Sequence, residues 1–252
     1  MQSVSTSMMA APGKDHKQDC FVCGEEIIYF SEREKLQCYY CRDVVMADSQ
    51  CRAGHFVCDK CHSSSAMVLI ERYCIRTQYP DPLKMAVELM HSSSVKMHGA
   101  EHHLLVPATL LAAYYNYLVK KGHPEKISEK EKKIREARLR AEKVSSGFCG
   151  FYGTCGAAIG AGIFISLVSG ATPVSVQEWK LSNTITSRCL HSIACAGGPR
   201  CCKRDTFLAI QETIPFVNKH FDVEIPLDAD IRCQFSQYNR ECLKDACQFF
   251  DR

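Results

Sequence analysis

The 252-residue sequence has little that would place it in a membrane or a secretory pathway. Its longest apolar run, residues 157–168, is shorter than the roughly 18 residues that a spanning helix needs, and it contains Gly160 and Gly162. The first 19 residues lack the apolar segment of a secretory signal. The net charge is only +3, which gives no strong attraction for nucleic acid. We therefore expect a cytoplasmic protein with no membrane and no nucleic-acid partner.

Cysteine, by contrast, is abundant, with 17 residues in the chain. A cytoplasmic protein keeps its thiols reduced, so a high cysteine content there favours metal binding or redox chemistry over disulfides. The sequence also lacks a glycine-rich methyltransferase fingerprint after a strand, so we do not predict methyl transfer by the chain itself.

Eight metal-ligand residues form four short pairs near the N-terminus. Each pair can place two ligands on one tetrahedral ion, so four pairs predict two zinc ions with all positions filled, as in structural sites. We expect a flexible segment at residues 1–17 and a two-zinc module at residues 18–64, which has too little apolar sequence to fold by burial alone. The predicted ligands are Cys20, Cys23, Cys38, Cys41, Cys51, His55, Cys58 and Cys61.

The stretch from Cys51 to Cys61 resembles the middle of a RING-type zinc finger, which binds two ions in a cross-brace. This resemblance implies that the pairs beginning at Cys20 and Cys51 share one ion and that those beginning at Cys38 and Cys58 share the other. The alternative is a series of sequential ribbons. A RING finger carries its last pair after this stretch, whereas here the extra pair precedes it, so the resemblance does not imply ubiquitin ligase activity.

Residues 65–252 are predicted to form a mainly α-helical domain, rich in cysteine and histidine, that carries the small treble-clef or cross-brace-like module. Proline near the first helical position predicts a helix from Pro82 to about Met90. An apolar and aromatic stretch that Gly122 ends predicts another over Pro107–Lys121. Ser128 and Glu131 have the spacing of a capping box at the start of a charged helix. A short strand is expected at Val223–Ile225.

His98, Glu101, His102 and His103 form a second group of polar residues. On a helix, positions 98, 101 and 102 lie on one face, which suits a metal ion or acid–base chemistry. The string also matches the H-x-x-E-H pattern of some metalloproteases, so a metal-dependent hydrolase centred on His98, Glu101 and His102 is one alternative. The other is that these are ordinary surface or capping residues.

Nine further cysteines follow residue 148. Cys149, Cys155, Cys201 and Cys202 are candidate catalytic thiols, and the neighbouring Arg200, Lys203 and Arg204 are expected to lower their pKa values. Cys233, Cys242 and Cys247 are candidate cofactor ligands, although their spacing matches no ferredoxin pattern. We expect these seven residues to form one cluster facing the histidine site, either as an iron–sulfur or other metal site or as a thiol relay.

The sequence Cys155-Gly-Ala-Ala-Ile-Gly, with Cys149, Cys201 and Cys202, resembles the C-GCAxxG-C-C class of redox or metal proteins, with Gly156 as an extra residue. The wider pattern, including Met-His-Gly-Ala-Glu-His-His, is similar to an uncharacterised prokaryotic family found alone or appended to S-adenosylmethionine-dependent methyltransferases.

These resemblances imply a metal- and thiol-dependent redox or sulfur-handling protein, an iron–sulfur or metal-binding accessory to a methyltransferase or metalloenzyme. A methyltransferase or a redox enzyme is then the expected partner. A non-catalytic zinc-binding adaptor is a further alternative.

Overall fold

The computed structural model describes residues 20, 22–23, 25–62, 65–228 and 230–251. The segment expected to be flexible, residues 1–17, lies outside these ranges. Within them the chain is mainly α-helical, with one two-stranded antiparallel sheet. This confirms the predicted fold class. Among the described helices, none combines the length and the apolar character that a membrane span requires.

The sheet lies in the N-terminal module. Strand β1, Ile27–Gln37, pairs with β2, Val44–Cys51, and the register shifts between Tyr29 and Glu34. Most side chains of β1 are exposed or only partly buried, so burial contributes little to holding the two strands together. The short helix α1, Asp59–His62, follows the sheet.

The helical domain contains eight further helices within the described residues, and more than half of the residues of α3, α4, α7 and α9 are buried. α4 packs against α2, α3, α5, α7 and α9, and α8 packs against both α7 and α9. Two 3-10 turns, Ser236–Tyr238 and Lys244–Ala246, lie in the C-terminal segment. The helices are α2 (Ala66–Arg76), α3 (Pro82–Met90), α4 (Glu101–Lys120), α5 (Lys126–Ala141), α6 (Phe148–Phe151), α7 (Gly156–Ser169), α8 (Gln177–Ala196) and α9 (Cys202–Phe221).

Pro107 does not begin α4 but lies inside it, which corrects the sequence prediction. Proline lacks the N–H that would bond to the carbonyl four residues earlier, here that of His103. Gly160 of α7 faces this point, because a Cβ built on it would lie 3.1 Å from the His103 oxygen and 2.8 Å from the Pro107 ring. The missing side chain at Gly160 therefore allows α7 to approach α4 where the proline interrupts its hydrogen bonding.

Two other local predictions are wrong for identifiable reasons. The capping box does not form, because α5 already begins at Lys126 and the Ser128 hydroxyl donates to the carbonyl of Glu125 at 3.0 Å. No strand forms at 223–225 in the described structure. The side chain of Asn218 instead bonds to both the N–H and the carbonyl of Ile225, at 3.0 and 3.1 Å, and occupies the groups a strand partner would need.

The module and the helical domain share one core. The Tyr40 ring packs edge-on against the buried Tyr73 ring of α2, with centroids 6.4 Å apart. The Tyr73 hydroxyl donates to the Glu88 carboxylate of α3. The module therefore rests on α2 and α3 rather than on a flexible connection.

We predict that Gly162→Ala destabilises the protein by about 1–3 kcal/mol, because the new methyl group would collide with the Thr186 hydroxyl of α8 and overpack the α7–α8 contact. Urea unfolding measures this change. Gly150→Ala is the matched control, since open space surrounds that position and its effect should stay within about 0.5 kcal/mol. Equal effects of the two substitutions would contradict the packing argument.

Candidate functional site

Two groups of four ligand atoms lie in the N-terminal module, and within each group all atoms are within 4.8 Å of one another. Sulfur atoms on opposite sides of each group are 3.8 Å apart for Cys23 and Cys51 and 3.7 Å apart for Cys41 and Cys58. A tetrahedron with metal–sulfur bonds of about 2.3 Å has edges of about 3.8 Å. The first group is Cys20, Cys23, Cys51 and His55; the second is Cys38, Cys41, Cys58 and Cys61.

The imidazole of His55 joins the first group through Nδ1. This atom lies 3.3, 3.5 and 3.9 Å from the sulfurs of Cys23, Cys51 and Cys20. A hydrogen bond from Cys61 lowers the pKa of Cys38 in the second group to about 4, which favours a thiolate there. Both groups therefore fit a metal ion held entirely by protein ligands.

Backbone N–H groups point at the sulfurs of these tetrads. The amide of Val22 donates to Cys20 at 3.4 Å, and the amides of His55 and Cys58 donate to Cys51 and Cys38 at 3.2 and 3.4 Å. Such bonds stabilise the thiolate form that binds metal.

The ligand pairs alternate along the chain. The first and third pairs form one tetrad, and the second and fourth form the other, which is a cross-brace. This is the pairing that the RING resemblance implies, and sequential ribbons would instead have joined neighbouring pairs.

Four of the C-terminal cysteines line a second, smaller pocket of about 20 Å³. Apolar side chains, including Met97, Phe207, Phe235, Leu243 and Phe249, form much of its wall, together with the polar residues Arg204, Ser236, Asn239 and Glu241. The four cysteines are Cys201 at the start of α9 and Cys233, Cys242 and Cys247 in the C-terminal segment. We call this the four-cysteine pocket.

Two of these cysteines repeat the hydrogen-bonding pattern of the N-terminal tetrads. The amide of Phe235 donates to the Cys233 sulfur and that of Lys244 to the Cys242 sulfur, both at 3.4 Å. The donor lies two residues after the cysteine, as Val22 does after Cys20. The sulfurs of Cys233 and Cys242 therefore accept the same kind of backbone hydrogen bond as the Cys20 sulfur of the module.

A larger cavity of about 230 Å³ lies where α4, α7 and α9 begin, and we call it the histidine cavity. Predicted site residues from three parts of the chain meet in its wall, together with Arg200 and Asp205. These predicted residues are His98, His102, His103, Cys149, Cys155 and Cys202.

Hydrogen bonds orient two of the histidine rings. Nδ1 of His102 lies 3.2 Å from the Gly99 carbonyl, and Nδ1 of His103 lies 3.1 Å from the Val144 carbonyl. A carbonyl can only accept, so each Nδ1 carries a proton and each Nε2 of the neutral ring has a free lone pair. Burial and nearby Lys203 lower the pKa of His102 to about 3, so this ring is neutral.

Glu101 does not line this cavity. Its carboxylate accepts a hydrogen bond from the amide of Lys96 at 2.8 Å and occupies the space beside Gly99. The glutamate thus stabilises the turn before α4, while His98 and His102 of the predicted trio line the cavity. The buried Nδ1 of His98 and Nε2 of His102 have no hydrogen-bond partner among the described residues.

The seven C-terminal cysteines are divided between two cavities instead of forming one cluster facing the histidines. Cys149, Cys155 and Cys202 line the histidine cavity, and the other four line the four-cysteine pocket. Cys201 and Cys202 are adjacent in sequence but contribute to different cavities.

The expected lowering of the thiol pKa values is wrong for the buried cysteines. Burial raises the pKa of Cys202 to about 11, and burial together with the charge of Asp205 raises that of Cys155 to about 12. Burial also raises the pKa values of Cys201 and Cys233. Desolvation thus outweighs the neighbouring basic residues.

Sequence reasoning missed one residue of the histidine cavity, and the structure shows the contacts of two further residues that the sequence had singled out for other reasons. Asp205 was not singled out, although it accepts from the Cys155 thiol at 3.8 Å and pairs with Arg204 at 3.2 Å. Lys203 is buried, with its ammonium 3.1 Å from the Met90 carbonyl and 4.3 Å from the Phe235 ring centre. Gly156 contacts the His103 ring so closely that no Cβ would fit. The extra glycine in the Cys155 motif was the available signal for this contact.

The fold and these sites define a mainly helical protein with two cysteine-rich groups that could each hold a metal ion. Residues 70–250, well over half of the chain, match a family of unknown function, DUF5714, and the chain belongs to that family. The match covers the helical domain, whereas the ligands of the two tetrads all precede it. No curated protein and no solved structure matches the chain.

We predict about two zinc ions per chain in freshly purified protein. Cys58→Ser should release one of them and unfold residues 18–64, because the metal's binding energy of about 10–16 kcal/mol is the folding energy of such a module. Metal analysis and limited proteolysis measure the two effects. Cys195→Ser, at an exposed position of α8, is the control and should keep both ions. Fewer than one zinc in the unmodified protein would contradict the assignment.

Proposed function

We propose that this protein is a metal- and thiol-dependent redox protein that holds an iron–sulfur cluster in the four-cysteine pocket. The observation that carries the proposal is the convergence of Cys201, Cys233, Cys242 and Cys247 on one small apolar pocket. Four cysteine ligands in an apolar surrounding are typical of such clusters, whose chemistry is one-electron transfer.

The spacing of the sulfurs supports a cluster over a single ion. Among the described residues, the two N-terminal tetrads are the groups of three or more ligand atoms that lie within 4.8 Å of one another, so no three of the C-terminal sulfurs are this close together. Each sulfur around a four-iron cluster binds a different iron, which separates the sulfurs by roughly 6 Å. A spacing wider than that of a single-ion tetrad suits a multi-iron group, and the pocket of about 20 Å³ has to open for the cluster to enter.

The charges beside the pocket also support the proposal. The ammonium of Lys203 is buried against the Phe235 ring and donates to the backbone carbonyls of Met90 and Val95 rather than to a carboxylate. Burial lowers its pKa to about 8, while the charges of Cys201 and Cys233 act in the opposite direction. An anionic cluster with thiolate ligands would balance the positive charge of this buried ammonium.

In this proposal the two tetrads hold structural zinc, since each already has four protein ligands and no open position. A one-electron carrier needs a donor and an acceptor, and we propose that these are cytoplasmic proteins, a redox enzyme or a methyltransferase that depends on electron supply. The chain would then be an accessory to that enzyme.

The hydrolase alternative has weaker support, because the carboxylate of Glu101 is bonded to the Lys96 amide and does not line the histidine cavity. The adaptor alternative needs only the zinc tetrads and predicts no iron. Metal analysis therefore distinguishes all three functions.

We predict about four iron and four acid-labile sulfide per chain, besides zinc, in protein purified without oxygen. Cys233→Ser should remove most of the iron and the visible absorption of the cluster but retain zinc, because the module's ligands are separate. Cys195→Ser is again the control, and its iron content should equal that of the unmodified protein. Zinc alone, with no sulfide, would reject the proposal in favour of the adaptor. Electron paramagnetic resonance of the reduced protein provides an independent measurement.

A further inference from the structure

The histidine cavity lies at the positive ends of three helices. α4, α7 and α9 contain 20, 14 and 20 residues, and all three begin at the cavity wall. No side-chain hydrogen bond caps the N-terminus of any of them. The positive ends of the helix dipoles therefore favour an anion there.

Side-chain charges agree with this preference. Arg200 lines the cavity and forms no ion pair in the part of the chain that the structure describes. The carboxylate of Asp205 also lines the cavity, but the buried Arg204 guanidinium neutralises it at 3.2 Å. Of the charged side chains in the wall, Arg200 therefore remains available to an anionic ligand.

His102 supplies an independent requirement on the ligand. The residue lines the cavity, its side chain is 1% exposed, and its Nε2 has no partner among the described residues. Because Nδ1 carries the proton, the Nε2 lone pair needs a hydrogen-bond donor. A simple anion has no hydrogen-bond donor. A ligand that satisfies both Arg200 and the Nε2 lone pair of His102 therefore carries an anionic group and a donor.

The cavity volume limits the size of this ligand. About 230 Å³ is below the roughly 300–1,000 Å³ of pockets that take drug-sized molecules. It offers room for a small acid and is too large for a bare metal ion.

We propose that the histidine cavity binds a short-chain carboxylate bearing an O–H group next to the carboxylate, a 2-hydroxy acid. The carboxylate lies against the helix N-termini and Arg200, and the hydroxyl donates to Nε2 of His102. Cys149, Cys155 and Cys202 then surround the ligand. This site does not require the iron–sulfur cluster, because its wall contains none of the proposed cluster ligands.

The test uses lactate and propionate as probes, two acids that differ by the 2-hydroxyl. Calorimetric titration of the anaerobically purified, zinc-containing protein should give a dissociation constant about tenfold lower for lactate, the effect of one hydrogen bond to a buried acceptor. Arg200→Gln should weaken both acids about tenfold. Arg135→Gln, on the exposed surface of α5, is the control and should change neither value.

A second measurement does not depend on a variant folding. In protein labelled with ¹⁵N-histidine, the Nε2 resonance of His102 should shift on adding lactate and remain in place with propionate. Equal affinity for the two acids, no effect of Arg200→Gln, or an unmoved Nε2 resonance would each overturn the proposal. Cys233→Ser should lose iron but keep lactate binding, so the cluster and the acid site can fail separately.

Discussion

The contact between α4 and α7 determines where the walls of the histidine cavity lie. Gly156 and Gly160 are one helical turn apart and both face α4, where they contact the His103 ring and the region of Pro107. A side chain at either position would separate the helices. Because His102, His103 and Cys155 all lie at this contact, its closeness keeps imidazoles and thiol in one cavity. The stability of the contact between α4 and α7 and the shape of the histidine cavity thus both depend on the lack of a side chain at Gly156 and Gly160.

The protein contains two different arrangements of cysteine. In the module, sulfur–sulfur separations of 3.7 and 3.8 Å match a single ion, and the ligands close the coordination sphere. In the C-terminal pocket no three of the sulfurs lie within 4.8 Å of one another, and aromatic and aliphatic side chains form much of the wall. The closed tetrads suit a structural role, because a small exposed sheet has little apolar burial of its own. The small C-terminal pocket lies in the well-packed helical domain, which can hold an ordered site without help from the module.

Much of the helical architecture and all eight tetrad ligands could be predicted from sequence, because helix periodicity and short ligand spacing are local properties. The pairing of the tetrads needed the RING resemblance, since spacing alone also permits ribbons. The direction of Glu101 could not be predicted, because it depends on the free amide of Lys96 in the preceding turn. The pKa values of Cys155 and Cys202 were misjudged for a similar reason. Neighbouring basic residues are visible in the sequence, but burial is a property of the folded chain.

Cys201 and Cys202 show why the sequence could not predict which of the two cavities each C-terminal cysteine lines. Cys201 is the extended residue just before α9 and Cys202 is the first residue of the helix, and the two line the four-cysteine pocket and the histidine cavity, respectively. The peptide unit between Cys201 and Cys202 therefore lies between the four-cysteine pocket and the histidine cavity. A residue inserted or deleted in the turn at 197–200 would rotate the start of α9 and turn both sulfurs out of place together. Both cavities therefore constrain the length of the turn at 197–200, although no residue of that turn lines the four-cysteine pocket.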